Sequence, residues 1–133
     1  MTDANWVFDR AIYLMDEQHE KSGEARTADT QEYRNRTLGI LNVLRNELFP
    51  YSDTCVSGAE GTRQVCPEIT DFDQPMGLDD VLAQTVLPYG LAAHLLLGER
   101  DAMASFFQQR YEALLYTVGS RRPGVWEDIP THG

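Results

Sequence analysis

Basic residues are scarce in this chain: 11 lysines and arginines stand against 21 aspartates and glutamates, a formal charge of −10 over 133 residues. Such a balance repels nucleic acid and anionic lipid at long range, which argues against a module that grips DNA by its sequence or coats a membrane. Long hydrophobic runs are missing as well. The longest, Tyr89 to Leu97, is interrupted by His94 and falls far short of the roughly 20 residues that span a bilayer. The opening Met1-Thr2-Asp3-Ala4-Asn5 has neither a basic patch nor an apolar stretch, so the chain is expected to stay in the cytoplasm, without a membrane partner.

Reactive motifs are equally thin. There is no phosphate-binding glycine loop, no nucleophile elbow, and no HExxH or CxxC pattern. Asp16-x-x-His19 is a lone acid–histidine pair. A di-metal bundle needs two such units plus acids from other helices, so no metal, cofactor or catalytic residue is expected, and an enzyme is the weaker reading. Cys55 and Cys66 are separated by ten residues in one loop-like stretch with no histidine near. In a reducing compartment they read as small thiols facing each other across a hairpin rather than as a native disulfide.

What the chain does have is helical period. Hydrophobic residues at 42% and charged residues at 24% are ordinary for a globular chain, so one domain over 1–120 with a tail over 121–133 is expected. The first helix is capped by Thr2 or Asp3 and runs to about Lys21. Phe8, Ile12, Met15 and His19 form one strip, with Trp6, Val7, Ala11 and Leu14 beside it. The second follows Asp29-Thr30-Gln31-Glu32, an N-cap with a glutamate three residues on. Its seam is Tyr33, Thr37, Ile40, Leu41, Leu44 and Leu48, with Arg34, Arg36, Arg45 and Glu47 solvated and Pro50 closing it.

The organising stretch is 78–118. Leu82, Val86, Tyr89, Ala93 and Leu96 mark one buried stripe, and Met103, Phe107, Tyr111, Leu114 and Val118 another. Gly98 can end the first of these helices and Asp101 can cap the second, so the two fold back antiparallel. Pro88 predicts a kink, and Gly90 a close approach by another helix. Phe106, Phe107 and Tyr111 read as core rather than as a stacking platform. The expected fold is therefore all-α: about four helices in a bundle, with a long loop over 51–77 between the second and third. Thr54-Cys55-Val56 and Gln64-Val65-Cys66 could form a short β-hairpin there. That loop either reaches a neighbouring subunit or folds over the chain's own core.

The succession Arg36 to Tyr51, a long loop, then Leu78 to Leu115 resembles the head-to-tail connector, or adaptor, proteins of tailed phages and prophages. The matching positions are Leu41-Asn42, Leu91-Ala92-Ala93, and Phe107 with Tyr111 and Leu115. The resemblance covers about half of the chain, through degenerate motifs, and does not reach the first helix or the tail. It implies a virion structural subunit without catalytic activity. Such a subunit forms a ring under the portal, joins the portal protein to a tail-completion protein and lets DNA pass. It is made in a bacterial cytoplasm and is monomeric until assembled. A closed ring needs two different contact surfaces. The loop 51–77 and the tail are the candidates, and Val56, Val65, Phe72, Trp126 and Ile129 the candidate contact residues. The alternative is a helical interaction module of another phage assembly, a packaging or tail-completion factor.

Overall fold

The computed structural model describes residues 1–22, 30–52 and 67–119, except the side chains of 19–22. Among these the protein is all-α, with four helices packed as a bundle and an isolated bridge between Asp3 and Pro75 instead of a sheet. The expected hairpin, both cysteines and the 120–133 tail lie outside the described residues, as do Asp29 and the His19 side chain.

Helix α1 (Ala4–Ser22) starts where Asp3 Oδ1 accepts the Trp6 amide at 2.9 Å, the N-cap that the sequence predicts. Its core side is Val7, Phe8, Ala11 and Met15. Helix α2 (Thr30–Leu48) buries Tyr33, Thr37, Leu41, Leu44 and Leu48 as the seam predicts, and ends in a 3-10 turn, Phe49–Tyr51, that holds Pro50. Buried Thr37 satisfies its hydroxyl on the Tyr33 carbonyl one turn back, at 2.8 Å.

Pro88 makes itself felt one turn early. A π-helical turn, Leu82–Val86, precedes helix α3 (Leu87–Leu96), and the Leu87 amide reaches back five residues to the Leu82 carbonyl. Pro88 then follows directly on this wider turn, as the second residue of α3. Helix α3 is apolar almost all round: Leu87, Pro88, Gly90, Leu91, Ala92, Ala93, Leu95 and Leu96 are all buried. The single stripe that the sequence predicts for it is thus too narrow. A helix wetted on no complete side belongs at the centre, and α1, α2 and α4 pack around it, with α4 scarcely approaching α1 and meeting α2 through Tyr111 and Glu47. Both α2 and α4 run antiparallel to α3. Tyr33 and Arg36 of α2 meet Glu99 and the Leu95 carbonyl, whereas Leu44 meets Gly90.

Gly98 adopts the left-handed conformation (φ 86°) between α3 and helix α4 (Asp101–Gly119), as expected for a C-terminal stop. Asp101 does not take the N-cap position. The Arg100 carbonyl accepts the first intrahelical bond, from Ala104, and Asp101 Oδ1 turns back to accept the Gly98 amide at 2.8 Å, closing the turn. Met103, Phe107 and Tyr111 are buried and Leu114 and Val118 half-buried, in line with the predicted stripe.

Candidate interaction surfaces

Arg45 lies where the sequence does not place it. Expected in solvent, it is 4% exposed. Its Nε donates to the Met76 carbonyl at 2.6 Å, and its Nη1 to the Pro67 carbonyl at 2.8 Å and to Asn42 Oδ1 at 3.1 Å. Asn42 in turn treats Ile69 as a strand neighbour would: Oδ1 accepts the Ile69 amide at 2.9 Å and Nδ2 donates to its carbonyl at 3.1 Å. Segment 67–77 is thereby strapped to α2, with Ile69 and Met76 buried beneath it. The strap also closes α1, because the Ala4 and Asn5 amides, orphans of a first helical turn, donate to the Gln74 and Phe72 carbonyls at 3.2 and 3.0 Å. This half of the loop folds over the chain's own core.

Phe72 lies in that strap. It is half-buried, edge-on to Phe8 with centroids 6.1 Å apart, and the Arg34 guanidinium lies 3.7 Å from its ring centroid. Arg34 also donates to Asn5 Oδ1 at 2.8 Å. Of the five predicted contact residues, Phe72 is the one described, and it is engaged within its own subunit. Val56, Val65, Trp126 and Ile129 lie outside the described residues.

Two groups of side chains, one on α1 and one on α4, are more open. On α1, Trp6, Arg10 and Tyr13 succeed one another at steps of four and three, with the Arg10 guanidinium 4.7 Å from the Trp6 ring centroid and 6.0 Å from that of Tyr13. Together with Asp9 they line a depression of about 380 Å³, and Tyr13 is 59% exposed. On α4, Phe106 is 43% exposed and Tyr116 80%. Trp, Tyr and Arg are the residue types that carry most of the energy at protein interfaces. The spacing of the α1 group is visible in the sequence, where Trp6 counts toward the broad apolar face, and Trp6 is half-buried against the core as that reading predicts.

A third feature is a groove of about 470 Å³ over the end of α3, with α4 on one side and Glu47 of α2 on the other. Ala93, Ala104, His94, Leu97 and Asp101 line it too. Glu47 Oε1 accepts the hydroxyl of Tyr111 at 2.8 Å. Burial, and then this bond to a carboxylate, push the Tyr111 phenol far above its ordinary 10.0. Both causes favour the neutral phenol in the folded state. The stability they contribute is therefore present below the unfolded value and is lost as pH rises toward the folded one. Tyr111 is expected to stay un-ionised until alkaline unfolding. A phenolate absorbance titration should show one tyrosine ionising only with loss of helical circular dichroism, and Tyr111→Phe should remove that step.

Among the described residues no group of three or more His, Cys, Asp or Glu is placed to hold a metal ion, and no helix is long and apolar enough to cross a membrane. Compared with protein-family models, curated proteins and solved structures, the chain shows no match to any.

Proposed function

We propose that the protein is a structural subunit of a phage or prophage head-to-tail connector, which joins the portal to the tail and lets DNA pass, and that it works by assembly rather than by catalysis. The observation that carries this reading is that both α1 and α4 carry exposed aromatic side chains. Each helix packs on α3, yet the two scarcely touch one another, so exposed Tyr13 on one and exposed Phe106 and Tyr116 on the other belong to different surfaces. Two unlike faces on one body are what a closed heterologous ring requires, whereas a two-fold dimer needs one self-complementary patch. The resemblance of Leu41-Asn42, Leu91-Ala92-Ala93 and Phe107-Tyr111-Leu115 to connector proteins supports the same reading. The acidic balance suits a conduit through which DNA slides without being held.

The test is light scattering on size-exclusion runs of the chain, alone and with the portal protein of its gene cluster. A ring, or co-elution with the portal in a fixed ratio, is expected. Trp6→Ala with Tyr13→Ala should weaken that assembly by about 2 kcal/mol or more while the helical signal is kept. A chain that stays monomeric and ignores the portal would overturn the proposal.

A further inference from the structure

The outward side of α4 carries a second helical repeat, away from the one that faces the core. Ala102, Phe106, Gln109, Ala113 and Tyr116 follow one another at steps of four and three, and all are exposed. These are the steps of the a and d places of a heptad, which line the seam where one helix packs on another. None of these side chains is charged, although charges ordinarily gather on the outward side of a bundle helix. They stand on the flanks instead: at about 100° per residue, exposed Arg110 falls on one side of the line and exposed Glu112 on the other. Helix α1 has the same plan. Half-buried Trp6 and exposed Asp9, Arg10 and Tyr13, at i, i+3, i+4 and i+7, line one depression, the four-cornered arrangement that receives a side chain from a facing helix. Asp9 lies on one flank of the line from Trp6 to Tyr13, and Arg10 on the other.

The two sets of charges have the same hand. With each helix pointing up and seen from outside, Asp9 and Glu112 lie to one side of their lines, and Arg10 and Arg110 to the other. Parallel helices that meet face to face bring opposite flanks together, so acid meets base along both edges of the seam. Antiparallel helices bring like flanks together, acid to acid and base to base. We propose that α4 of one copy docks in parallel on α1 of a second copy of this chain. Phe106 then lies beside the partner's Trp6 and Ala113 beside the partner's Tyr13, while Arg110 faces the partner's Asp9 and Glu112 the partner's Arg10. These pairings share one register to within about two residues, or about 3 Å of rise. Arg10 already stacks on Trp6 and Tyr13, and Arg110 lies over Tyr89. Stacking takes the face of a guanidinium and leaves its N–H edge for a carboxylate. Each copy thus offers α4 to one neighbour and α1 to the other, which supplies the repeating contact of the ring proposed above and rests on that reading.

The test follows assembly of the full chain by light scattering, alone and on the portal protein, with the flanking charges reversed. Arg110→Glu and Asp9→Arg should each weaken assembly about tenfold or more while the helical circular dichroism is kept, and the two in one chain should restore it. The reversals move the net charge in opposite directions, so a loss common to both comes from the contact and not from the charge of the whole. Cross-linking reads the register. With Cys55→Ser and Cys66→Ser in both, an Ala113→Cys sample and a Tyr13→Cys sample should form a disulfide on mixing under mild oxidation, while neither links to itself. Assembly indifferent to the reversals, no recovery in the double variant, self-linking of either sample, or a chain that stays single both alone and on the portal would overturn the contact. Charge-dependent assembly and mixed cross-linking without any binding to the portal would uphold it and sink the connector reading. Portal binding in a fixed ratio that ignores both reversals would do the opposite.

Discussion

Arg45→Ala is expected to lower folding stability by about 3–5 kcal/mol, the range seen when a buried charge network is broken on one side. The guanidinium is the shared donor for the Met76 and Pro67 carbonyls and for Asn42 Oδ1. Alanine leaves those acceptors without it beneath the strap, and each buried polar atom stranded in this way costs about 1–3 kcal/mol. The damage reaches α1, since the carbonyls of Phe72 and Gln74 that receive its first amides belong to the same segment. Arg45→Lys should recover less than half, because an ammonium lacks the planar fork that spans acceptors on different sides. Urea unfolding measures the loss. Faster amide hydrogen exchange at Ala4, Asn5, Ile69 and Met76, with little change in α4, would locate it in the strap. A loss under about 1 kcal/mol would show that Arg45 is incidental.

Gly90→Val should cost about 3 kcal/mol, the upper part of the range for overpacking a core. An added Cβ would lie 2.8 Å from Cδ1 and Cε1 of Tyr111 and 3.1 Å from Leu44 Cδ1. The tyrosine ring cannot simply swing aside, because its hydroxyl is tied to Glu47. Gly90→Ala meets the same contacts but gains about 1 kcal/mol of helix propensity, so its net loss should be nearer 1 kcal/mol. The cause is separable by a double-mutant cycle: in a Tyr111→Leu background the penalty of Gly90→Ala should shrink or change sign. If the penalty is the same in both backgrounds, the ring is not what excludes the side chain.

Much of the helical plan was legible from residue order. Steps of three and four in 30–48 and 101–118 identify the buried faces of α2 and α4 because a helix repeats on that period whatever it packs against. Asp3, Gly98 and Pro50 mark boundaries through local backbone chemistry. The same reasoning misled on α3. One stripe was expected, whereas Leu87, Leu91, Ala92 and Leu95 are buried beside it, because a helix with a neighbour on three sides has no stripe. Asp101 has the residue type of an N-cap, but its carboxylate found the Gly98 amide instead.

The candidate surfaces were harder to read. Phe72 stood out as a large apolar residue in a loop, yet its neighbours Phe8 and Arg34 lie far off in sequence and no local pattern pairs them. The groove draws Glu47 from one helix and Asp101 from another; in the sequence one is a solvated acid and the other a helix cap. Arg45 is the clearest case. A basic residue on a helix is nearly always solvated, and only the backbone of 67–77 crossing above it makes a buried guanidinium favourable.

By itself, then, the sequence determined what is periodic or local: an all-α chain of four helices, the boundaries at Asp3, Pro50 and Gly98, which residues of α2 and α4 face inward, and an acidic net charge. Tertiary structure alone decided that α3 is central, that Arg45 and Asn42 hold the strap, that Phe72 is engaged at home, and that residues of α2, α3 and α4 line one groove. The physical reason is range. Helix period and capping act within about four residues, whereas burial and hydrogen-bond partnership depend on which distant backbone happens to arrive, and no local pattern carries that information.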